Sequence, residues 1–228
     1  MSGRSRSRAV SPPRRGAACS VDLVCISREA ASLVVLLQHG ARRTWRLPSA
    51  MLRAGGDLED AVAALTRTVV GRDIAWRQQA GAVTAGSHPD GAAVSVGYVV
   101  IVSSGTAAPP GAAWHGSGEL PRSLAARHSA VVGAAVAHVR ARTDQSPVAF
   151  RLLPPMFTLG ELQEVYELLL GRTLHKASFR RALSAARLVE PTDKWRSEGR
   201  GRPAQLFRYA PRRRARVART ARFDLLGG

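Results

Sequence analysis

Long apolar runs alternate with short bursts of glycine and charge along this chain, and the period of the pattern changes twice. Val21-Asp22-Leu23-Val24-Cys25-Ile26 is almost wholly apolar, and Leu33 to Leu37 repeats that character after a short turn. Runs of this length and composition predict a hairpin of buried strands. Arg42-Arg43-Thr44-Trp45-Arg46-Leu47-Pro48 then leads into a loop with Gly55-Gly56. From Asp57 the period becomes helical. Leu58, Ala61, Val62 and Leu65 recur at helical spacing, Asp57 suits the N-cap, and Gly71 stops the helix. Val94 to Val102 predicts a strand apolar enough to lie centrally in a sheet. Gly105 to Gly118, rich in Ala, Pro and Gly, reads as a linker or loop. Pro121 opens a helix through about Arg142. Residues 19–143 thus describe an α/β/α sandwich.

After Asp144 the pattern changes again. Thr158-Leu159-Gly160-Glu161 is a capping box, in which hydroxyl and carboxylate each satisfy a free backbone N–H. Leu162, Val165, Tyr166 and Leu169 face one way, and Gly171 ends that helix. A second helix runs from about Lys176 to Leu188, with Phe179, Leu183 and Ala186 inward. Trp195 and the basic turn Glu198-Gly199-Arg200-Gly201-Arg202-Pro203 precede a strand, Gln205 to Tyr209. Helix, short turn, helix and a hairpin with a basic tip make a winged helix-turn-helix over residues 144–210.

Composition sharpens this picture. The formal charge is +18 and the pI near 11.7, which points to a polyanionic partner, nucleic acid first. The middle is nearly balanced: residues 1–18 carry +5, residues 19–149 only +3, and residues 150–228 carry +10. Residues 1–18 and 211–228 are Arg-rich arms with the composition of flexible tails. No apolar run is long enough for a transmembrane helix, and the arginines at the start precede no apolar signal region, so a cytoplasmic protein is expected. Cys19 and Cys25 are too few for a thiolate metal site, and His39, His88 and His128 show no metal spacing. Neither a metal nor a cofactor is expected.

The stretch from Trp45 to Gly71 resembles a Nudix box without its chemistry. That box sets glutamates on one helix face, where they hold Mg²⁺ against a pyrophosphate. Here Ala50 stands for its first glycine, Gly56 for its first glutamate, Ala64-Leu65 for its Arg-Glu and Thr68-Val69 for its Glu-Glu. Only Gly71 matches. Asp57, Glu59 and Asp60 read as a cap and a solvated first turn. No catalytic residue is assigned.

A Nudix-like domain followed by a winged helix resembles the Nudix-related transcriptional regulators, the NrtR family. The resemblance rests on Leu152-Leu153-Pro154, Phe157-Thr158-Leu159-Gly160-Glu161-Leu162-Gln163, Val165-Tyr166-Glu167 with Gly171, Phe179-Arg180-Arg181 and Gly201-Arg202-Pro203-Ala204, and more loosely on Leu124-Ala125 and His128. It implies a homodimeric repressor that binds double-stranded operator DNA and releases it on binding an NAD-related metabolite, typically ADP-ribose. Ser178 stands where the family has Asn, and Arg127 where it has Asp.

The expected DNA contacts are Lys176, Ser178, Arg180 and Arg181 at the head of the second helix, Arg200 and Arg202 in the wing, and the capping Thr158. Trp45, Arg46 and Arg53 surround the place where Nudix proteins hold a diphosphate, and are the candidates for an anionic effector. Two alternatives stay open: a regulator without a small-molecule effector, and a divergent Nudix-type nucleotide hydrolase. No membrane partner is expected.

Overall fold

The computed structural model describes residues 17–71, 76–143, 147–197 and 203–210. Its first half runs β1 (Cys19–Glu29), β2 (Ser32–His39), β3 (Trp45–Arg46), β4 (Ser49–Met51), α1 (Leu58–Val70), β5 (Arg77–Val83), β6 (Val94–Ile101), β7 (Ala112–Gly116) and α2 (Ala126–Ala141). Its second half runs α3 (Val148–Arg151), α4 (Leu159–Leu170), α5 (Lys176–Ala186), β8 (Val189–Arg196) and β9 (Ala204–Tyr209).

The sheet order is β3-β2-β1-β6-β5, with β4 added to β1 and β7 to β2. β1 lies between an antiparallel β2 and a parallel β6, in the register Val21↔Val96 to Ile26↔Ile101. That placement explains its unbroken apolar run, because both faces are covered. Val21, Leu23 and Cys25 pack with Val62 and Val69 of α1 on one face. Val24 and Ile26 pack with Val131, Val132, Ala135 and Val139 of α2 on the other. The period of two along the strand therefore divides the residues between two layers. Burial pushes the Cys25 thiol up to about 12, which leaves it a protonated core residue.

Asp57 caps α1 as expected: its Oδ1 accepts from the Asp60 amide at 3.0 Å. The fully buried side of α1 is Val62, Thr66 and Val69, with Leu58, Ala61 and Leu65 only half covered at its flank. Two expectations need correction. Residues 105–118 are not all loop, since Ala112–Gly116 forms β7 against β2, with Leu37 opposite Ala113. Five half-buried, small or aromatic residues supply a strand by tertiary pairing that local composition hid. The helix expected from Pro121 starts at Ala126 instead. Residues 121–125 make a turn, in which the Leu124 amide donates to the Pro121 carbonyl and Leu124 bridges Trp45.

The second half packs an aromatic core. Phe150 contacts Phe157, Tyr166 and Tyr209 at ring-centre distances of 5.9, 6.4 and 4.4 Å, and Tyr166 contacts Phe179 at 5.6 Å. Phe157 also exchanges two backbone hydrogen bonds with Phe207, which fastens the hairpin to the helices. Through α2 and α3 this core is continuous with the α2 side of the sheet. An ion pair between Arg28 of β1 and Glu164 of α4, at 2.6 Å, crosses the same boundary.

Candidate nucleic-acid interface

The capping box at the head of α4 is fully formed. Thr158 Oγ1 accepts from the Glu161 amide at 3.1 Å, and Glu161 Oε2 accepts from the Thr158 amide at 2.7 Å. Glu161 Oε1 accepts in turn from Arg196 of β8 at 2.7 Å. Partial burial pushes the Glu161 carboxyl up, but the Thr158 amide and Arg196 outweigh it and hold it below the usual range. The box satisfies the first and last of the four amides of that turn. The Leu159 and Gly160 amides are the ones it leaves for an outside acceptor.

α5 buries Phe179 and Leu183 and turns Lys176, Arg180 and Arg181 outward. Lys176 and Arg180, four positions apart, share one face. Together with Thr158, Leu159, Gly160 and Gln205 they line an open cavity of about 400 Å³. The segment Lys176–Ala186 contains no acid. Every acid of α4 is occupied elsewhere: Glu161 by Arg196, Glu164 by Arg28, and Glu167 by the Leu174 amide at 2.7 Å and Gln163 at 3.0 Å. Among the described residues, the side chains of Lys176, Arg180 and Arg181 accordingly have no hydrogen bond or ion pair. Ser178 is half-buried and sits on a different side, its Oγ 3.4 Å from His175 Nδ1. Arg200, Arg202 and the arginines of both arms lie outside the described residues.

Each of the candidate effector residues has surroundings of its own. Trp45 stacks on His39 at 4.1 Å and meets the edge of His115 at 4.5 Å. Arg46 is ion-paired with Asp90, whose carboxyl it holds below the usual range, and donates to Ser49 Oγ at 2.7 Å. Arg53 is exposed in a turn closed by the Gly56 amide on its carbonyl at 2.9 Å. On α1, Thr68 donates to the Ala64 carbonyl at 3.1 Å, and Val69 is buried. Glu59, expected to be merely solvated, bridges the sheet: it accepts from the Tyr98 phenol at 2.8 Å and from Arg77 at 2.9 Å.

Sequence reading missed one cluster entirely. Asp22, His88 and His128, separated by 66 and 40 positions, meet in the interior. His88 Nε2 lies 3.2 Å from Asp22 Oδ1, and His128 Nε2 lies 3.9 Å from Asp22 Oδ2. The Nδ1 of His88 accepts from the Asp90 amide, and that of His128 from the Leu47 amide. An Nδ1 that accepts leaves the proton on Nε2. A metal-bound imidazole has the reverse arrangement, donating through its outer nitrogen. Among the described residues His88 makes the one hydrogen bond to the buried carboxylate, Asp22 Oδ2 has no partner, and the two Nε2 atoms lie 3.2 Å apart. Nδ1 atoms that accept from the backbone speak against a pair of metal-bound imidazoles. Burial first, then the neighbouring His88 and Arg46, lower the His128 pKa to about 4 against the pull of Asp22.

Beside it Arg127, 4% exposed, donates to the carbonyls of Val83, Thr84, Ala85, Gly86, Ala92 and Ala93 at 2.6 to 3.5 Å. It ties the β5–β6 loop to the head of α2. No spacing rule finds such residues, because only the folded loop collects the carbonyls.

Comparison with known proteins agrees with this geometry. Residues 149–209 match the NrtR DNA-binding winged helix domain. The chain is 41% identical over 87 residues to a protein of Acinetobacter baylyi named ADPR responsive transcriptional repressor NtrR. Those residues are 38% of this chain and only 34%, about a third, of that relative. Shewanella oneidensis NrtR, solved with a 27mer DNA, superposes with a TM-score of 0.70 at 28% identity, over 85% of this chain and 94% of that one. A MutT/nudix family protein from Enterococcus faecalis shares the fold, with a TM-score of 0.65 at 19% identity over 88% and 89% of the two chains. Among the described residues no helix is long and apolar enough to cross a membrane.

Proposed function

We propose that this chain, which carries an NrtR-type winged helix at residues 149–209 behind a Nudix-like sandwich, is a DNA-binding transcriptional repressor. The observation that carries this reading is the basic face of α5, Lys176, Arg180 and Arg181, unpaired among the described residues, beside the capped head of α4. α5 enters the major groove, where Arg180 and Arg181 reach base edges. Lys176, Thr158 and the Leu159 and Gly160 amides take a backbone phosphate, and Ser178 meets the backbone at the same end. Arg200, Arg202 and the two arms add phosphate contacts. A homodimer places two such helices on the two halves of an operator.

The sandwich acts as a sensor and not as a hydrolase. Its α1 offers Thr68 and Val69 where metal-binding carboxylates are needed, and its Glu59 is consumed by Tyr98 and Arg77. The name of the Acinetobacter relative supports ADP-ribose or a related anionic metabolite as effector. Trp45, Arg46 and Arg53 take it up only if Arg46 leaves Asp90.

A gel-shift with the DNA upstream of the gene, against non-specific competitor, tests the main reading. A sequence-preferring shift, released by ADP-ribose, is expected. No preference over competitor overturns the regulator. A shift indifferent to ADP-ribose and related phosphates overturns the effector alone. Mg²⁺-dependent cleavage of ADP-ribose, abolished by EDTA, overturns the assignment as a non-enzyme.

A further inference from the structure

Trp195 is the most open large apolar side chain among the described residues, with 57% of its surface exposed. Exposing an indole is unfavourable, and at a recognition surface it commonly marks the place a partner covers. Trp195 stands on β8 directly opposite Gln205 of β9. Residues paired in this way project from the same face of a hairpin. Gln205 lines the cavity that also holds Thr158, Lys176 and Arg180. The register breaks between Pro191 and Trp195, and such irregularities re-aim the side chain that follows. The indole therefore stands opposite a residue of the basic cavity with more than half of its surface open.

We infer that Trp195 is a DNA-contacting residue, its ring packing on deoxyribose next to the phosphate held between α4 and α5. This inference rests on the DNA-binding reading. Charge complementarity selects DNA over a second protein surface, since Lys176 and Arg180 line the cavity that Gln205 also lines, Lys194 precedes the ring in the chain, and a protein covering this end would have to bury those cations. An apolar contact of this kind adds affinity without releasing counterions, which separates it from its neighbours.

The test uses a duplex selected by the full-length wild-type protein from a random pool, titrated at several salt concentrations. Trp195→Ala is expected to weaken binding about tenfold at every salt, so that the log–log line shifts while its slope stays. Trp195→Phe is expected to retain most of the affinity. Lys176→Ala is expected to reduce the slope by about 0.9. The melting temperature of Trp195→Ala should equal that of wild type, because the side chain packs on nothing in the core. Unchanged affinity in Trp195→Ala overturns the inference and leaves the DNA-binding reading intact. A change of oligomeric state in DNA-free Trp195→Ala, read by light scattering, overturns it in favour of a second copy. A wild-type protein that selects no duplex overturns the DNA-binding reading itself, and this inference with it.

Discussion

Arg127 and Arg180 each lie within the first two turns of a helix, α2 and α5, and their surroundings are opposite. Arg127 is buried, with every guanidinium nitrogen donating to backbone carbonyls. Arg180 is exposed, lines a cavity and has no partner among the described residues. The contrast extends to their neighbours. In the sandwich Arg28, Arg46 and Arg77 are paired with Glu164, Asp90 and Glu59. On α5 the side chains of Lys176 and Arg181 likewise have no partner among the described residues. Total charge thus says little about where a polyanion binds; the distribution of internal acceptors decides it.

Replacing Arg127 should break the comparison most strongly. Arg127→Leu strands six carbonyls in the interior and should cost about 3–5 kcal/mol of folding stability. Denaturant unfolding measures this, and DNA affinity per folded molecule should be untouched. A loss below 1 kcal/mol, on the scale of an ordinary surface change, would mean that the loop does not depend on its arginine.

The buried histidine gives the next largest effect. Because the folded-state pKa of His128 is lowered from 6.5 to about 4, the unfolded chain binds its proton first as pH falls. Stability should therefore be full above about pH 6.5, decline between about pH 6.5 and 4, and level off below, by about 3 kcal/mol in all from this group. His128→Gln should flatten that decline. An equal slope in wild type and variant would remove His128 from the account.

The free cations of α5 should show the reverse pattern. Arg180→Ala and Arg181→Ala should each reduce discrimination between operator and competitor by about 1–3 kcal/mol, while unfolding curves stay within about 0.5 kcal/mol of wild type. Equal weakening toward all sequences would mark a phosphate contact instead. Thr158→Ala should give the smallest and a mixed effect: about 1 kcal/mol of stability from the lost cap, with a modest loss of DNA affinity. A stability loss with no change in affinity would confine Thr158 to capping.

Much of the recognition half was legible in the chain. The capping box at Thr158 and Glu161, the apolar stripe Leu162, Val165, Tyr166 and Leu169, and the stop at Gly171 are local signals, set by contacts between residues a few positions apart. The same holds for Asp57 and the buried run of β1. The sandwich's remaining features were not legible, for one physical reason. β7 exists because β2 offers it an edge, α2 starts late because Leu124 pairs with Trp45, and Arg46 is occupied because Asp90 folds back to it. The meeting of Asp22, His88 and His128 likewise depends on three distant segments closing on each other. Short-range periodicity determined most of the helices and strands and set Lys176, Arg180 and Arg181 together at the head of α5. Tertiary structure alone decided which charges find partners, because a partner far along the chain becomes a neighbour only after the core has formed.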